Sequence, residues 1–240
     1  MKKQEVLESL KDGLIVSCQA VPEEPHYMEG ITVKFAECAA WAGAKGIRAN
    51  SPEDIRAIKA QVDLPVIGIW KINRNVKDVY LTPNLEAAKA VWEAGAEIIA
   101  VQATHHYRDD GKLAYETIRE IKENIPEALI FADVSTAEDA WIAAEMGADF
   151  VAPTLAGYTK AGAFDKLEIK DAPDYILLRD IVDAVKGTGA RVIMEGKVAT
   201  PEIAVQCLYM GAYAVVVGNA ITRPHITAKR FARALNRFHD

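Results

Sequence analysis

Four copies of one junction constrain this chain more than any other feature: a helical pattern ends at Gly-Ala and a short apolar run follows at once. A glycine just past the end of a helix supplies the left-handed conformation that the helix C-cap requires. A short run that is apolar throughout is typical of a strand buried on both faces of a parallel sheet. The junctions span 41–47, 93–99, 145–151 and 209–215, and successive copies lie roughly two βα units apart. The repeat therefore predicts a parallel sheet whose strands alternate with helices.

Further apolar runs of strand length lie between these junctions and bring the predicted strands to eight. They cover Gly13–Cys18, Pro65–Trp70, Ala128–Ala132 and Arg191–Met194. Helical patterns fill the gaps at 32–42, 52–60, 85–94, 113–124, 137–146, 174–186, 201–210 and 226–238. Eight alternating units favour closure into a barrel, and no GxGxxG or P-loop motif follows an early strand to favour a nucleotide-binding sheet. We predict one domain over residues 1–240, an α/β fold that forms a single (β/α)8 TIM barrel.

The composition narrows the classes of partner. A formal net charge of −6 and a pI near 5.5 offer no basic surface for nucleic acid. No apolar stretch approaches the ~20 residues of a membrane span, and residues 1–10 lack the apolar core of a signal peptide. Cys18, Cys38 and Cys207 form no CxxC pair, which argues against a disulfide framework or a cysteine-rich zinc site. We expect a cytoplasmic protein without nucleic-acid or membrane partners, and homo-oligomerisation stays open.

Polar residues end most of the predicted strands. In a TIM barrel the catalytic groups sit at the carboxyl ends of the strands, where side chains reach the mouth of the barrel. One such residue could be a rim salt bridge, but a whole set that converges on one end indicates a binding or catalytic site. In strand order, the set is Gln19, Arg48, Lys71, Gln102, Asp133, Thr154, Glu195 and Asn219.

The last two strands suggest where an anion binds. Gly196 follows strand seven and leads to a helix that begins at Thr200-Pro201, and Gly218 follows strand eight shortly before Arg223. Barrels often bind phosphate at these two loops, where glycine lets the backbone approach the ligand and an arginine adds a bidentate contact. We predict a phosphate site at Gly196, Gly218 and Arg223.

Lys71 and Glu195 are the candidates for the chemistry. A lysine at a barrel strand end either forms a Schiff base with a carbonyl substrate or transfers a proton. A glutamate at the end of an apolar strand suits a general acid or base. A metal-dependent sugar epimerase would need two histidines and two acids on converging strand ends, and His105 and His106 do not complete that set. We predict no metal site.

Several segments together resemble a known family, and the match runs from Gly13 to Arg223. They are Gly13-Leu-Ile-Val-Ser-Cys-Gln19, Gly46-Ile-Arg48, Ser51-Pro-Glu-Asp-Ile55, Pro65-Val-Ile-Gly-Ile69 with Lys71, Ala132-Asp133 with Ser135-Thr136, Thr154-Leu155 with Gly157-Tyr158-Thr159, Glu195-Gly196, and Val217-Gly218 with Ala220-Ile-Thr-Arg223-Pro224. The chain resembles the N-acetylmannosamine-6-phosphate 2-epimerases, bacterial (β/α)8 enzymes of sialic-acid catabolism. The combination is specific, because a generic barrel shares only the glycines.

The resemblance implies a cofactor-independent inversion at C2 of an N-acyl-hexosamine 6-phosphate, so the expected partner is a phosphorylated amino sugar. It implies that Lys71 and Glu195 are the proton-transfer pair. It further implies that the sugar is held by Gln19, Arg48, Asp133 and Tyr158, and the phosphate by Gly196, Gly218, Asn219 and Arg223.

The chain departs from the family pattern after strand four. Gln102 stands where the family has an acid, and His105-His106 stand where it has arginines. These changes leave the exact sugar and acyl group open. Two rival readings also stay open: a Schiff-base aldolase or lyase acting on a phosphorylated sugar, and a paralogue that binds a sugar phosphate without turning it over. Residues 156–173 form a long irregular loop after strand six and are a candidate lid.

Overall fold

The computed structural model describes residues 2–72, 79–157 and 172–236 and shows a closed barrel of eight parallel strands in the order β1 to β8. This confirms the predicted (β/α)8 fold. The strands are β1 Leu14–Cys18, β2 Gly46–Asn50, β3 Val66–Ile69, β4 Ile98–Gln102, β5 Leu129–Asp133, β6 Phe150–Ala152, β7 Arg191–Glu195 and β8 Ala214–Val217. The helices are α1 Lys3–Leu10, α2 Ile31–Trp41, α3 Pro52–Lys59, α4 Leu85–Glu93, α5 Glu116–Asn124, α6 Ala137–Glu145, α7 Tyr175–Ala184, α8 Pro201–Tyr209, α9 Asn219–Thr222 and α10 Pro224–Asn236.

The four junction glycines all have a positive φ at the C-terminal ends of their helices, as the sequence pattern predicts. Strand residues then alternate between two apolar layers. One layer packs between the sheet and the helices, and in β1 and β5 it includes Val16 and Ile130. The other fills the barrel interior, where Ile15 and Phe131 lie. Because the side-chain period of a strand is two, this alternation also decides which residues at the strand ends face the mouth of the barrel.

Helix α1 closes the amino end of the barrel and is missed by the helical patterns in the sequence. Its residues Val6, Leu7 and Leu10 are buried in the same apolar cluster as the barrel interior. A Cβ placed on Gly46 would lie 2.7 Å from Leu10 Cδ2, so β2 needs glycine at its start to admit this side chain. The helix is short and mostly polar, which is why its three apolar positions give a weak signal.

The remaining differences are at the ends of elements. Helix α5 begins at Glu116 rather than near 113, because Leu113 pairs with Tyr107 in an isolated antiparallel bridge. A short helix, α9, lies between Gly218 and Arg223, where the sequence patterns predict no helix. Within the described part of the chain, no helix is long and apolar enough to cross a membrane.

Candidate active site

Strand parity places the polar residues over the apolar interior of the barrel. In β1, β2, β5 and β7 the residues that follow the interior layer are Ser17, Arg48, Asp133 and Glu195. Gln19 and Lys71 continue the same parity just beyond β1 and β3. Arg48 lies directly on the apolar floor, with its guanidinium carbon 4.8 Å from the centre of the Phe131 ring. The alternation of side chains along each strand, which places apolar residues in the core, therefore also places these polar residues at the mouth of the barrel.

Arg48 joins two carboxylates across the barrel mouth. Its Nη1 donates to Glu195 on β7, and its Nη2 donates to Asp133 Oδ2 on β5 at 2.7 Å. The side chains of Arg48 and Asp133 are 1% and 0% exposed, whereas that of Glu195 is 14% exposed. One cation thus holds a buried carboxylate and a carboxylate that reaches the cavity.

The electrostatic surroundings shift the pKa of Glu195 upward. Burial raises it most, and Asp133 raises it further, while the charges of Arg48 and Lys71 lower it only in part. Burial alone would lower the pKa of Arg48, but Asp133 and Glu195 raise it above its usual value, so the guanidinium stays charged. Glu195 is therefore a carboxylate that takes up a proton more readily than an ordinary glutamate, as a general base requires.

Lys71 is held by its backbone as well as by its side chain. Its N–H donates to Asn50 Oδ1 at the end of β2, at 2.9 Å, and it forms an isolated antiparallel bridge with Leu81. Its ammonium Nζ donates to Gln19 Oε1 at 2.6 Å. The amide of Gln19 in turn donates from Nε2 to Ser17 Oγ at 2.9 Å. A hydrogen-bonded chain therefore runs from Lys71 to β1.

The loops after β7 and β8 have the backbone that the phosphate prediction requires. Gly196 has φ +108°, a conformation that side chains rarely adopt, although a Cβ there would meet no atom within 4 Å. At Gly218 the constraint is space, because a Cβ there would lie 3.3 Å from Ser17 Cβ, which is a tight contact. Both glycines and Asn219 line the cavity, as does Arg223.

Arg223 is bound to protein groups in this structure. Its Nε donates to Glu24, from the loop between β1 and α2, and its Nη1 donates to Asn219 Oδ1. Burial would raise the pKa of Glu24, but the Val21 N–H and the Arg223 guanidinium lower it below its usual value. Glu24 is therefore an anion that orients Arg223 at the edge of the predicted phosphate site.

One cavity of about 480 Å³ brings these groups together. Lys71 and Glu195 line it from opposite strands, and residues of the loops after β7 and β8 line it as well. The other lining residues include Ser17, Gln19, Arg48, Tyr80, Leu81, Thr154, Lys197 and Arg230. The cavity thus combines a lysine and a glutamate with two glycine loops and several cationic side chains.

The loop after β4 does not reach this cavity. Gln102 is buried, with its Oε1 accepting from the Tyr80 N–H at 3.2 Å, and its backbone N–H donates to Leu81 O at 3.0 Å. His105 Nδ1 lies 2.8 Å from Asp139 Oδ1. Among the described lining residues, none comes from 102–111. Gln102, the first residue that departs from the family pattern, is therefore bonded to Tyr80 and Leu81, which line the cavity in its place.

Of the predicted sugar-binding residues, Gln19 and Arg48 line the cavity, whereas Asp133 does not. Asp133 is fully buried and is not among the described residues that line the cavity. Its Oδ2 accepts from Arg48, so it positions that guanidinium, and its contact with the sugar stays a prediction. Tyr158 and most of the candidate lid lie outside the described residues.

Sequence reasoning missed Glu24, which the structure brings to the site. Glu24 lies in an irregular loop, where no periodic pattern marks a side chain as functional. Thr154, from the predicted strand-end set, lies just beyond β6 and lines the cavity, and its buried Oγ1 has no partner among the described residues. As for metal ligands, the described part of the chain holds no group of three or more histidine, cysteine or acidic side chains placed to bind an ion.

Comparison with known proteins gives the family. Residues 32–237 match the model of the family described as "Putative N-acetylmannosamine-6-phosphate epimerase". A protein from Listeria welshimeri named "Putative N-acetylmannosamine-6-phosphate 2-epimerase" is 40% identical over 234 residues, which cover 98% of this chain and 97% of that protein. A protein of the same name from Caldanaerobacter subterraneus is 43% identical over 229 residues, covering 95% and 93%.

The chain belongs to the N-acetylmannosamine-6-phosphate epimerase family. The solved structure of the N-acetylmannosamine-6-phosphate 2-epimerase from Clostridium perfringens agrees, with a TM-score of 0.85, 36% identity and coverage of 95% of each chain. Membership in this epimerase family confirms the resemblance drawn from the motifs and makes the chain an isomerase.

Proposed function

We propose that this chain inverts C2 of an N-acyl-hexosamine 6-phosphate, interconverting N-acetylmannosamine 6-phosphate and N-acetylglucosamine 6-phosphate by proton transfer without a cofactor. The observation that carries the proposal is the placement of Lys71 and Glu195 in one cavity that is also lined by two glycine loops and Arg223. Family membership supports the substrate class.

The reaction needs a base, an acid and support for a developing negative charge. In the open-chain aldehyde, the C2 hydrogen is acidic, and its removal leaves an enolate whose oxygen needs a cation or a hydrogen-bond donor. Return of a proton to the opposite face of C2 completes the inversion, so no atom is gained or lost. Lys71 and Glu195 belong to β-strand ends that are not neighbours, and in this proposal they serve the two faces.

Glu195 and Lys71 have different surroundings, which suit them to different parts of the proton transfer. Glu195 is anchored by Arg48 and has a raised pKa, which suits a base that must take up the C2 proton. Lys71 carries its charge toward Gln19, which supports a role as the proton donor or as the cation beside the enolate oxygen. In this scheme Arg48 positions Glu195 and also holds the sugar, since it lines the cavity, and Asp133 positions Arg48.

The phosphate end supplies affinity rather than chemistry. Backbone near Gly196 and Gly218, together with Arg223, would hold the dianion, and binding there would fix the reacting end of the sugar near Lys71 and Glu195. We also propose a cytoplasmic location, supported by the three free cysteines.

Deuterium exchange tests the proposal and separates it from its rivals. Incubation of a hexosamine 6-phosphate with the protein in deuterium oxide should place deuterium at C2 and yield the other epimer. A paralogue that only binds the sugar would give neither result. A Schiff-base aldolase would instead be trapped on Lys71 by borohydride in the presence of substrate, and such a covalent adduct would refute the epimerase mechanism.

A further inference from the structure

Ser17 lines the cavity and has a hydroxyl group that the proposed chemistry does not use. The residue lines the cavity but is only 8% exposed. Its position is fixed by its backbone, because its carbonyl oxygen accepts from Thr222 Oγ1 at 3.0 Å. A buried hydroxyl has one proton to donate as well as lone pairs that accept, and buried polar groups are generally hydrogen-bonded.

The hydrogen bonds from Lys71 through Gln19 determine whether the Ser17 hydroxyl accepts or donates within the protein. An ammonium group has donors only, so the Gln19 amide must turn its Oε1 toward Lys71 and its Nε2 toward Ser17. The Ser17 oxygen therefore accepts a hydrogen bond, and its single proton is left to donate elsewhere. No acceptor for that proton is found in the described ranges of the chain.

The location of Ser17 indicates what the acceptor is. A Cβ on Gly218 would lie 3.6 Å from Ser17 Oγ, so the hydroxyl is in contact with the loop after β8. Arg223, Lys197 and Arg230 line the same cavity as Ser17, and their positive charges favour an anion there. An anionic oxygen is also the strongest available acceptor for a hydroxyl proton.

We propose that Ser17 donates its hydroxyl proton to a phosphoryl oxygen of the bound sugar phosphate. The inference rests on the proposed function for the identity of the ligand. The chain from the Lys71 ammonium through Gln19 makes the Ser17 hydroxyl a stronger donor, since each hydrogen bond in a series polarises the next. Ser17 thus links the acid–base end of the site to its phosphate end.

Two substitutions at Ser17 test the donation directly. Ser17→Ala removes the hydroxyl, and Ser17→Cys keeps a side chain of similar shape with a poor donor. Inorganic phosphate is the probe: measured as a competitor of the sugar phosphate, its inhibition constant should rise roughly 10- to 100-fold in both variants, as expected for a hydrogen bond to a charged group. Ser9→Ala, the same change on α1 far from the cavity, should leave the constant unchanged. A phosphate affinity that stays at the wild-type value in folded Ser17→Ala and Ser17→Cys would overturn the proposal, even if turnover fell.

Gln19→Glu tests the direction of the hydrogen bonds that run from Lys71 through Gln19 to Ser17. A carboxylate accepts from both Lys71 and Ser17, so it should draw the Ser17 proton away from the ligand and weaken phosphate binding at least as much as Ser17→Ala. The added negative charge would also repel phosphate, but that effect is the same whether or not the hydroxyl is present. We therefore expect the loss caused by Gln19→Glu to be about tenfold smaller in a Ser17→Ala background. Equal losses in the two backgrounds would contradict the proposed direction.

The assay distinguishes failure of this inference from failure of the proposed function. Binding of a hexosamine 6-phosphate is measured by calorimetry, independently of turnover. If the wild-type protein binds the sugar phosphate without inverting C2, and Ser17→Ala weakens that binding, the inference holds while the proposed function fails. If the wild-type protein inverts C2 and Ser17→Ala binds the substrate normally, only the inference fails.

Discussion

Arg48 and Glu195 are joined by a hydrogen bond that crosses the mouth of the barrel, although β2 and β7 are not neighbouring strands. The same guanidinium binds the fully buried Asp133. A barrel interior gives a carboxylate little water to stabilise its charge, so the basicity of Glu195 depends on the balance of these two neighbours. This balance leads to a test with two opposite expected outcomes.

Arg48→Gln and Asp133→Asn should move the acid limb of the pH–rate profile in opposite directions. A general base is active when deprotonated, so activity falls as the pH drops through the pKa of Glu195. Removing the Arg48 charge removes an effect that lowers this pKa, and the limb should shift to higher pH. Removing the Asp133 charge removes an effect that raises it, and the limb should shift to lower pH. The measurement is kcat/KM against pH, and shifts of the same sign in both variants would show that Glu195 is not the titrating base.

Arg223→Ala should weaken substrate binding more than it slows turnover. A charge-assisted hydrogen bond is worth about 1.5–3 kcal/mol, which corresponds to a rise in KM of roughly 10- to 100-fold. The contact exists in both the bound substrate and the transition state, so kcat should change little. Arg119→Ala, which removes an exposed arginine paired with Glu116 on α5, is the matched control and should leave KM unchanged. A normal KM in Arg223→Ala would remove this residue from the phosphate site.

Leu10→Ala should destabilise the barrel without altering its chemistry. Leu10 is fully buried beneath the amino ends of the strands, at the opposite end of the barrel from the cavity. Truncation of a buried leucine costs about 2–5 kcal/mol, and urea denaturation should show a loss of this size in the free energy of unfolding. Leu235→Ala on α10, where the side chain is 63% exposed, should change stability by less than ~0.5 kcal/mol. Similar losses in the two variants would mean that α1 does not pack as described.

Prolonged treatment with a chelator should leave the epimerase active. His105 and His106 are engaged with Asp139 and Thr104 in the loop after β4, and neither lines the cavity. The assay is residual activity after dialysis against EDTA, followed by addition of zinc. Loss of activity that zinc restores would contradict the prediction and direct attention to the residues outside the described ranges.

Much of this architecture follows from short-range rules that can be read in the sequence. Gly-Ala junctions such as 93–99 mark helix ends and buried strands, and strand parity then places Arg48 and Glu195 in the same layer as the apolar interior. Closure of the barrel brings these strand ends together, so residues far apart in the chain line one cavity. These features need no knowledge of individual side-chain contacts.

The features that the sequence did not predict depend on contacts between irregular segments. Nothing in the pattern around Glu24 indicates that it binds Arg223, since their pairing depends on how two loops fold over the barrel. Likewise, Gln102 has the parity of a site residue, but Tyr80 and Leu81 cover it. Polar residues at strand ends therefore identify a set of candidates, and the loops decide which of them reach the ligand.

The central claim is that Lys71 and Glu195 exchange the C2 proton from opposite faces of one sugar. Its most direct test is solvent deuterium exchange at C2, measured separately from each purified epimer with Lys71→Ala and Glu195→Gln. Positioned acid–base groups contribute ~10²–10⁴-fold, so each variant should lose epimerisation by that factor while still binding the substrate. If each group serves one face, each variant should retain exchange from only one epimer, and the retained epimer should differ between the two. Wild-type rates of inversion in either variant would contradict the account.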